Sequence, residues 1–174
     1  MPDIRIILTD EFLVTGRQLD WSLLPDGSLD QNFALATAFY VALCSDRRAL
    51  DSDVLPDPRS HDRKGWWGDL DAAEIWGGWT LGSRLWLLRR VQINDVGARS
   101  GSTVNQVKAF LRESLEPFIS NRICTDIQMD VSRNAYNRNR IDAAITAFRG
   151  QNPPVAMQFQ ILWDEMTGMA VEML

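Results

Sequence analysis

Residues 62–90 read DRKGWWGDLDAAEIWGGWTLGSRLWLLRR and hold five of the seven tryptophans of the chain. Each tryptophan carries a large apolar area and one N–H donor that must be paired when it is buried. Glycines at positions 65, 68, 77, 78 and 82 let the backbone turn tightly between the rings. This composition predicts an ordered segment that anchors a core and presents a polar rim, which suits a protein–protein contact as much as a pocket.

Two interpretations of these rings stay open. In the first, all five are simply core residues: Trp66, Trp67, Trp76, Trp79 and Trp86. In the second, some of the rings form a contact surface together with the charged neighbours Arg63, Lys64, Asp69 and Arg84. Arginine favours the second interpretation, because a guanidinium group pairs bidentately with carboxylates at interfaces.

Length and composition predict a single soluble globular domain. The chain has 174 residues, of which 45% are hydrophobic and 24% charged. We expect one domain over 1–174, with an N-terminal extension over 1–29 that carries a strand and a C-terminal tail over 165–174. The net charge of −5 and the pI of about 4.9 argue against binding to nucleic acid, which needs a basic field.

The sequence also predicts a protein that folds in a reducing cytoplasm and contacts no membrane. No apolar run reaches the ~18–20 residues that span a bilayer. The N-terminal MPDIRIILTDEF has charges inside its apolar run and no small-residue cleavage site, so we do not expect a signal peptide. Cys44 and Cys124 lie in apolar sequence and are expected to be buried thiols instead of a disulfide.

Hydrophobic periodicity predicts three helical regions after an N-terminal strand at 4–9. The first helix spans 31–45, is capped by Asp30 and has an inward stripe of Leu35, Ala38, Phe39, Ala42 and Leu43. A short helix is predicted over 81–91, with its arginines, Arg84, Arg89 and Arg90, pointing outward. The clearest helix covers 102–118, with an inward stripe of Val104, Val107, Leu111, Leu115 and Phe118, and it should end or kink at Pro117.

In the last third of the chain, the spacing of apolar residues changes from the helical period of 3.6 residues to the strand period of 2. Apolar residues alternate with polar ones over 126–131, 141–147 and 155–163, and turn residues separate these runs. The pattern predicts a C-terminal three-stranded antiparallel meander with one buried face. The fold class is therefore α+β, with helices packed on one face of a small antiparallel sheet.

Candidate catalytic and metal-binding residues are few. His61 is the sole histidine, so a Ser–His or Cys–His system would have to use it, although a solvated loop histidine explains it more simply. Asp51, Asp53 and Asp57 lack the glycine and the bidentate acid of an EF-hand loop, so a polar loop is favoured over a metal site. No cofactor motif is present, and we expect no cofactor.

Acidic residues among the tryptophans raise one enzymatic alternative. Asp69, Asp71 and Glu74 lie beside aromatic rings, which commonly stack on sugars. A hydrolase that cleaves peptidoglycan would need one carboxyl group with a raised pKa and a second one at about 5–9.5 Å. The sequence shows neither property, so this remains the second interpretation.

Several sequence blocks resemble a known protein family. They are LATA at 35–38, LCSDRRA at 43–49, DRKGWWGD at 62–69, GSRLWLL at 82–88 and LW at 162–163. They are similar to blocks of the Mu-like prophage tail baseplate family, which is related to the small lysozyme-like wedge proteins of contractile phage tails and type VI secretion systems. The DRKGWWGD block is the most specific of them.

The resemblance implies a structural subunit of the virion, present in several copies in a symmetric ring of the tail baseplate. Its implied partners are other wedge proteins, the tail sheath, and tail tube or hub proteins. The wider wedge family carries a Glu-Pro-Arg contact motif at the end of its long helix. Here that position reads Glu116-Pro117-Phe118, and Arg122 is the candidate substitute for the missing arginine.

The leading hypothesis is therefore a non-enzymatic assembly protein. Its candidate interface residues are Arg63, Lys64, Trp66, Trp67, Asp69, Arg84, Glu116 and Arg122. An edge strand of the sheet is a further candidate contact, since an exposed edge invites strand addition. A soluble assembly chaperone, released before the particle matures, is a third interpretation.

Overall fold

The computed structural model describes residues 6–9, 18–21, 24–28, 34–90, 102–137, 139–150, 152–164 and 168–173. The chain forms two compact units, Met1–Tyr40 and Val41–Leu174. The predicted cap residue Asp30 lies outside the described residues. The division of 1–174 into one domain with an extension and a tail stays a prediction.

The first unit contains a two-stranded antiparallel pair and a tight turn. Strands β1 (Ile6–Thr9) and β2 (Gln18–Trp21) pair with Ile6 opposite Trp21, and β1 lies where the sequence predicts a strand. In the turn at 24–28, one carboxylate oxygen of Asp26 accepts hydrogen bonds from the hydroxyl and the backbone N–H of Ser28. These two hydrogen bonds favour the charged form and lower the pKa of Asp26.

Helix α1 (Ala34–Cys44) begins in the first unit and ends in the second, within the range predicted for it. Four of the five predicted inward residues are buried: Leu35, Phe39, Ala42 and Leu43. Ala38 is half-buried. The helical period of the apolar residues therefore identified its buried face.

A four-stranded antiparallel sheet forms the C-terminal part of the second unit. Its order is β3 (Asp126–Arg133), β4 (Arg140–Arg149), β5 (Asn152–Asp164) and β6 (Gly168–Met173). Consecutive strands pair, so the predicted meander and the α+β class are confirmed. The fourth strand lies in the stretch expected to be a tail, and it pairs with β5 from Phe159 opposite Met173 to Asp164 opposite Gly168.

Alternation along the strands sets the buried face of the sheet. Ile141, Ala143, Ile145 and Ala147 of β4 are buried, as the period of 2 predicts. Across the β4–β5 register, Ile145 lies opposite Met157 and Ala143 opposite Phe159, so β5 continues the same apolar face. Pairs of this kind are the unit of sheet stabilisation.

Helix α3 (Ser102–Ser120) precedes the sheet and contacts β3. Its buried face contains Thr103, Val107, Leu111, Ser114, Leu115 and Phe118. Four of these are predicted core residues, while Val104 is only half-buried. The buried Ser114 donates its hydroxyl to the carbonyl of Phe110 at 2.9 Å, so the core accepts it without an unpaired donor.

The sequence predicts an end or a kink of α3 at Pro117, and the end is wrong, because the helix continues to Ser120. A proline in the last turn removes only one backbone donor, and the carbonyls near it accept hydrogen bonds from other donors. Ser120 donates its hydroxyl to the Glu116 carbonyl at 2.9 Å, and Asn121 donates its side-chain amide to the Pro117 carbonyl at 2.8 Å. Arg122 then adopts φ of +59°, which closes the helix in a left-handed cap.

The short helix predicted over 81–91 is a 3-10 helix that spans Arg84–Arg90. Its apolar residues Leu85, Trp86, Leu87 and Leu88 are buried. The indole of Trp86 donates to the carbonyl of Arg47 at 2.8 Å, so its buried N–H is paired. Trp86 is therefore a core residue, as the first interpretation of the rings holds.

The residues just before the 3-10 helix are fastened to the end of α1. Ser83 donates its N–H to the carbonyl of Ser45 at 2.8 Å and accepts the N–H of Arg47 at 3.0 Å. Its hydroxyl also donates to the carbonyl of Leu43 at 3.1 Å. A Cβ on Gly82 would lie 2.6 Å from the Ser45 carbonyl oxygen, so the close approach of these two backbone segments, the crossing at Gly82, requires glycine.

Arg84 does not point outward, contrary to the sequence prediction. One guanidinium nitrogen donates to both carboxylate oxygens of Asp53, at 2.9 and 2.7 Å, and two others contact Glu113, at 2.9 and 2.8 Å. The three side chains are 14%, 17% and 29% exposed. The network joins the 50–62 loop, the 3-10 helix and α3.

The same network places other groups around Arg84. Arg47 contacts the second oxygen of Glu113 at 3.5 Å, and the ring of Phe110 lies 5.0 Å from the guanidinium carbon of Arg84. Burial alone would lower the pKa of Arg84, but its hydrogen bonds to Asp53 and Glu113 outweigh that effect and raise it. Glu113 thus has two arginine partners, Arg47 and Arg84.

Removal of Arg84 tests whether this network holds the unit together. We expect Arg84→Ala to lower the free energy of unfolding by about 2–3 kcal/mol, because it leaves the partly buried Asp53 without its arginine and Glu113 with Arg47 alone. Arg89→Ala is the control, since Arg89 is 43% exposed and lies 3.7 Å from Asp46. It should cost at most ~1 kcal/mol. Equal losses in urea unfolding of the two variants would contradict a special role for Arg84.

The crossing at Gly82 gives a second prediction. Gly82 and Gly77 both have positive φ, +97° and +61°, but nothing lies within 4 Å of a Cβ added at Gly77. Gly77→Ala should cost about 1 kcal/mol from backbone strain alone. Gly82→Ala adds a clash with backbone atoms and should cost about 3 kcal/mol. Thermal unfolding of the two variants measures the difference, and a Gly82→Ala protein as stable as Gly77→Ala would refute the close approach.

Candidate functional site

The segment between the 50–62 loop and the 3-10 helix exposes large apolar side chains. Trp67 is 78% exposed and Leu70 is 86% exposed, and three neighbours in the segment are also exposed. We name the five together the tryptophan surface: Trp66, Trp67, Leu70, Ile75 and Trp76. The core interpretation is therefore wrong for three of the five rings, since a core ring would be covered by other residues.

Local hydrogen bonds fold this segment into two short turns. A 3-10 turn covers Trp67–Asp69, and a one-turn helix α2 covers Ala72–Ile75. The N–H of Asp69 donates to the Trp66 carbonyl at 3.0 Å, and the N–H of Trp76 donates to the Ala72 carbonyl at 2.9 Å. Such short elements bury few groups of their own, so contacts beneath them must hold them in place.

The underside of the segment is attached to the core at two points. Ala72 is buried, and the Trp79 ring meets the ring of Phe118 edge-on, with centroids 4.9 Å apart. Phe118 belongs to the buried face of α3. Trp79 is therefore the ring that fastens the segment, while the rings before it remain accessible.

Asp69 ties the start of the segment to its end. One of its carboxylate oxygens accepts the backbone N–H of Leu81 at 3.0 Å, while the other is buried. The carboxylate is thus turned toward the protein. Asp69 positions the segment, and we do not include it among the groups that meet a partner.

The arrangement of Trp66 and Trp67 depends on Gly68. A Cβ at Gly68 would lie 2.4–2.7 Å from carbon atoms of the Trp66 ring, so that ring rests directly on the Gly68 backbone. The two indole rings lie 5.5 Å apart with their planes tilted by 54°. This contact keeps Trp66 partly covered and leaves Trp67 as the more accessible of the two rings.

The charged residues within the 66–76 segment are all acidic. Asp71 and Glu74 are exposed and lie within the same stretch as Leu70 and Ile75. No lysine or arginine occurs between Lys64 and Arg84. The surface therefore combines large apolar groups with negative charge, which is the composition of a protein contact with a polar edge.

Two other predicted interface residues lie just before the surface. Arg63 donates to the backbone carbonyls of Leu50 and Asp51, so its guanidinium group holds the 50–62 loop. Lys64 is exposed, has φ of +56° and lies 3.5 Å from the Asp62 carboxylate. The backbone N–H of Lys64 lowers the pKa of Asp62, and the lysine charge adds to the effect.

The structure does not bring all the predicted interface residues together. Glu116 is exposed in the last turn of α3, and Arg122 is exposed just beyond it. Arg84 is held by Asp53 and Glu113 inside the protein. A contact through Glu116 or Arg122 stays a prediction, whereas Arg84 serves the fold.

Most of the side chains considered for catalysis are exposed to solvent. His61 is exposed in its loop, and Asp71 and Glu74 are exposed in theirs. Among the residues that the structure describes, no group of three His, Cys, Asp or Glu side chains could hold a metal ion. Nothing in this geometry favours the paired-carboxylate interpretation over a protein contact.

Both cysteines are reduced thiols instead of a disulfide, as predicted. Cys124 is buried and Cys44 is half-buried, so the expectation of burial holds fully only for the first. Burial raises the pKa of the Cys124 thiol, although the charge of Arg149 opposes the shift. Among the described residues, no helix has the length and apolar character to cross a membrane.

Comparison with known proteins identifies relatives of this chain. A family model described as phage protein GP46 matches residues 35–153. Baseplate protein gp46 of Escherichia phage Mu is 41% identical over 83 residues, which is 48% of this chain and 49% of that protein. The matched stretch thus spans about half the length of the curated relative. No solved structure matches the chain.

A pair of tryptophan substitutions distinguishes surface from core. Trp67→Ala should change the free energy of unfolding by less than ~1 kcal/mol, because the ring is largely exposed. Trp86→Ala should cost about 3–5 kcal/mol, because it removes a buried ring and orphans the Arg47 carbonyl. Chemical denaturation of both variants tests this, and a large loss for Trp67→Ala would show that its ring is covered.

Proposed function

Since the chain belongs to the family described as phage protein GP46, we propose that it is a structural subunit of a phage tail baseplate. The relative from phage Mu is named a baseplate protein, and its similarity to this chain supports the assignment. In this proposal the protein is a component of the virion, made in the host cytoplasm and built into the tail.

One observation carries the proposal on structural grounds. The tryptophan surface exposes three indole rings and two aliphatic side chains within eleven residues of sequence, 66–76. Exposed apolar groups in such a cluster mark a protein contact far more often than scattered single residues do. A subunit of a large assembly needs a surface of this kind.

The finer role follows from the family resemblance and from the way the surface is held. We propose that the protein joins baseplate wedge proteins to one another and to the first ring of the tail sheath. The attachment of Trp79 to Phe118 fixes the tryptophan surface to α3, so little ordering is required when it docks. Several copies in a symmetric ring would strengthen a modest contact through avidity.

The proposal assigns no catalytic residue and no cofactor. Of the three acids among the tryptophans, Asp71 and Glu74 are exposed to solvent, and Asp69 accepts the backbone N–H of Leu81. A general acid in a glycosidase needs an environment that keeps it protonated at neutral pH, such as an apolar pocket. Purified protein should therefore not clear a cell-wall suspension.

The test is to change the tryptophan surface without changing the core. The double variant Trp67→Ser/Leu70→Ser should fold, yet it should be reduced at least ~10-fold in finished particles, because both anchors of the contact are lost. Mass spectrometry of particles purified after complementation measures the amount incorporated. Tyr136→Ser is the matched control, since Tyr136 is 99% exposed and lies in the β3–β4 connection.

Two outcomes would contradict the proposal. Wild-type protein missing from finished particles would favour an assembly chaperone that is released before maturation. Normal incorporation of the double variant would show that docking does not use the tryptophan surface.

A further inference from the structure

The tryptophan surface is large enough to specify one partner. An exposed aromatic side chain contributes up to ~150–250 Å², so the five side chains together expose on the order of 600 Å². This is at the upper end for the largest apolar patch on a typical monomer, ~300–600 Å². It approaches the ~800 Å² that each partner buries in a stable complex.

The charged residues in the tryptophan surface's segment restrict the chemistry of a partner that can bind there. Asp71 directly follows Leu70 in the sequence and Glu74 directly precedes Ile75, and all four residues are exposed. The basic residues that directly precede the segment in sequence have partners of their own, because Lys64 lies 3.5 Å from the Asp62 carboxylate and Arg63 donates to the Leu50 carbonyl. An occupant must therefore present positive charge at the edge of its apolar face.

We propose that the tryptophan surface docks a segment of a different protein that carries apolar anchor residues flanked by lysine or arginine. This inference rests on the proposed function and names the chemistry of the partner at the same site. Anchors of the partner cover Trp67 and Leu70, and its basic side chains pair with Asp71 and Glu74. Trp66 supports Trp67 from the side.

The same charges disfavour the other possible occupants. In a two-fold contact between copies of this chain, the same surface would meet itself, and Asp71 and Glu74 would be brought against a segment that carries no lysine or arginine between Lys64 and Arg84. An anionic lipid surface would likewise repel these carboxylates, although exposed tryptophans suit membrane interfaces. A basic protein segment satisfies both the rings and the acids.

Two synthetic amphipathic peptides of equal length test this inference on the purified full chain. They share one apolar face of leucine and tryptophan, and their polar faces carry lysine in one peptide and glutamate in the other. We expect the lysine peptide to bind at least ~10-fold more tightly at low salt, with the difference shrinking at high salt. Isothermal titration calorimetry measures both affinities.

Variants locate the binding site. Asp71→Lys/Glu74→Lys should reverse the order of the two peptides, and Trp67→Ser should weaken both at least ~10-fold. Asp126→Lys/Asp130→Lys is the matched control, since it makes the same charge change at two exposed acids of β3 and should preserve the order. Equal binding of both peptides, no binding of either, or reversal by the control would overturn the inference.

Two further measurements assign the surface to another occupant if the inference is wrong. Self-association that Trp67→Ser abolishes in sedimentation would assign the surface to a second copy. Binding to phosphatidylglycerol vesicles that Trp67→Ser abolishes would assign it to lipid. The proposed function is judged separately, by incorporation into particles, so a subunit that enters particles but fails the peptide test refutes only this inference.

Discussion

The second unit depends on the position of one guanidinium group. Arg84 reaches Asp53 in the loop before it and Glu113 in the helix after it, through hydrogen bonds of 2.7–2.9 Å. Since the three side chains are largely enclosed, each needs the others to avoid a desolvated, unpaired charge. This requirement fixes the distance between the 50–62 loop and α3, and with it the course of the chain between Asp53 and Arg84.

The tryptophan surface is a consequence of that arrangement. The chain between Arg63 and Gly82 is held at both ends, by Arg63 on the loop carbonyls and by Ser83 on the end of α1. Trp79 on Phe118 holds it from beneath. With its ends and underside occupied by structural contacts, the segment has one free side, and that side carries Trp67 and Leu70. Rigid support of this kind favours docking, because little conformational entropy is lost on binding.

Elements whose apolar residues recur at a regular spacing could be predicted from the sequence, whereas contacts between charges that lie far apart in the chain could not. The stripe through Val107, Leu111 and Leu115 and the alternation over 141–147 gave the right buried faces, because periodicity reports burial directly. The inward turn of Arg84 was missed, since its partners lie 31 and 29 residues away. The sheet was predicted one strand too short, because GMAVEM at 168–173 alternates only weakly.

The tryptophans illustrate the same limit of prediction from sequence. Composition alone could not tell a buried tryptophan from an exposed one, yet Trp86 is buried beside Arg47 while Trp67 is exposed. Trp86 lies in the 3-10 helix Arg84–Arg90, whose apolar residues are buried, whereas Trp67 lies in the short turn Trp67–Asp69, none of whose residues is buried. The central claim is that the exposed rings form the site of attachment in the tail. A cryo-EM map of the intact tail tip tests it most directly. The account predicts that Trp67 and Leu70 are covered there by a segment of another protein. A map in which both side chains face solvent in the finished particle would contradict it.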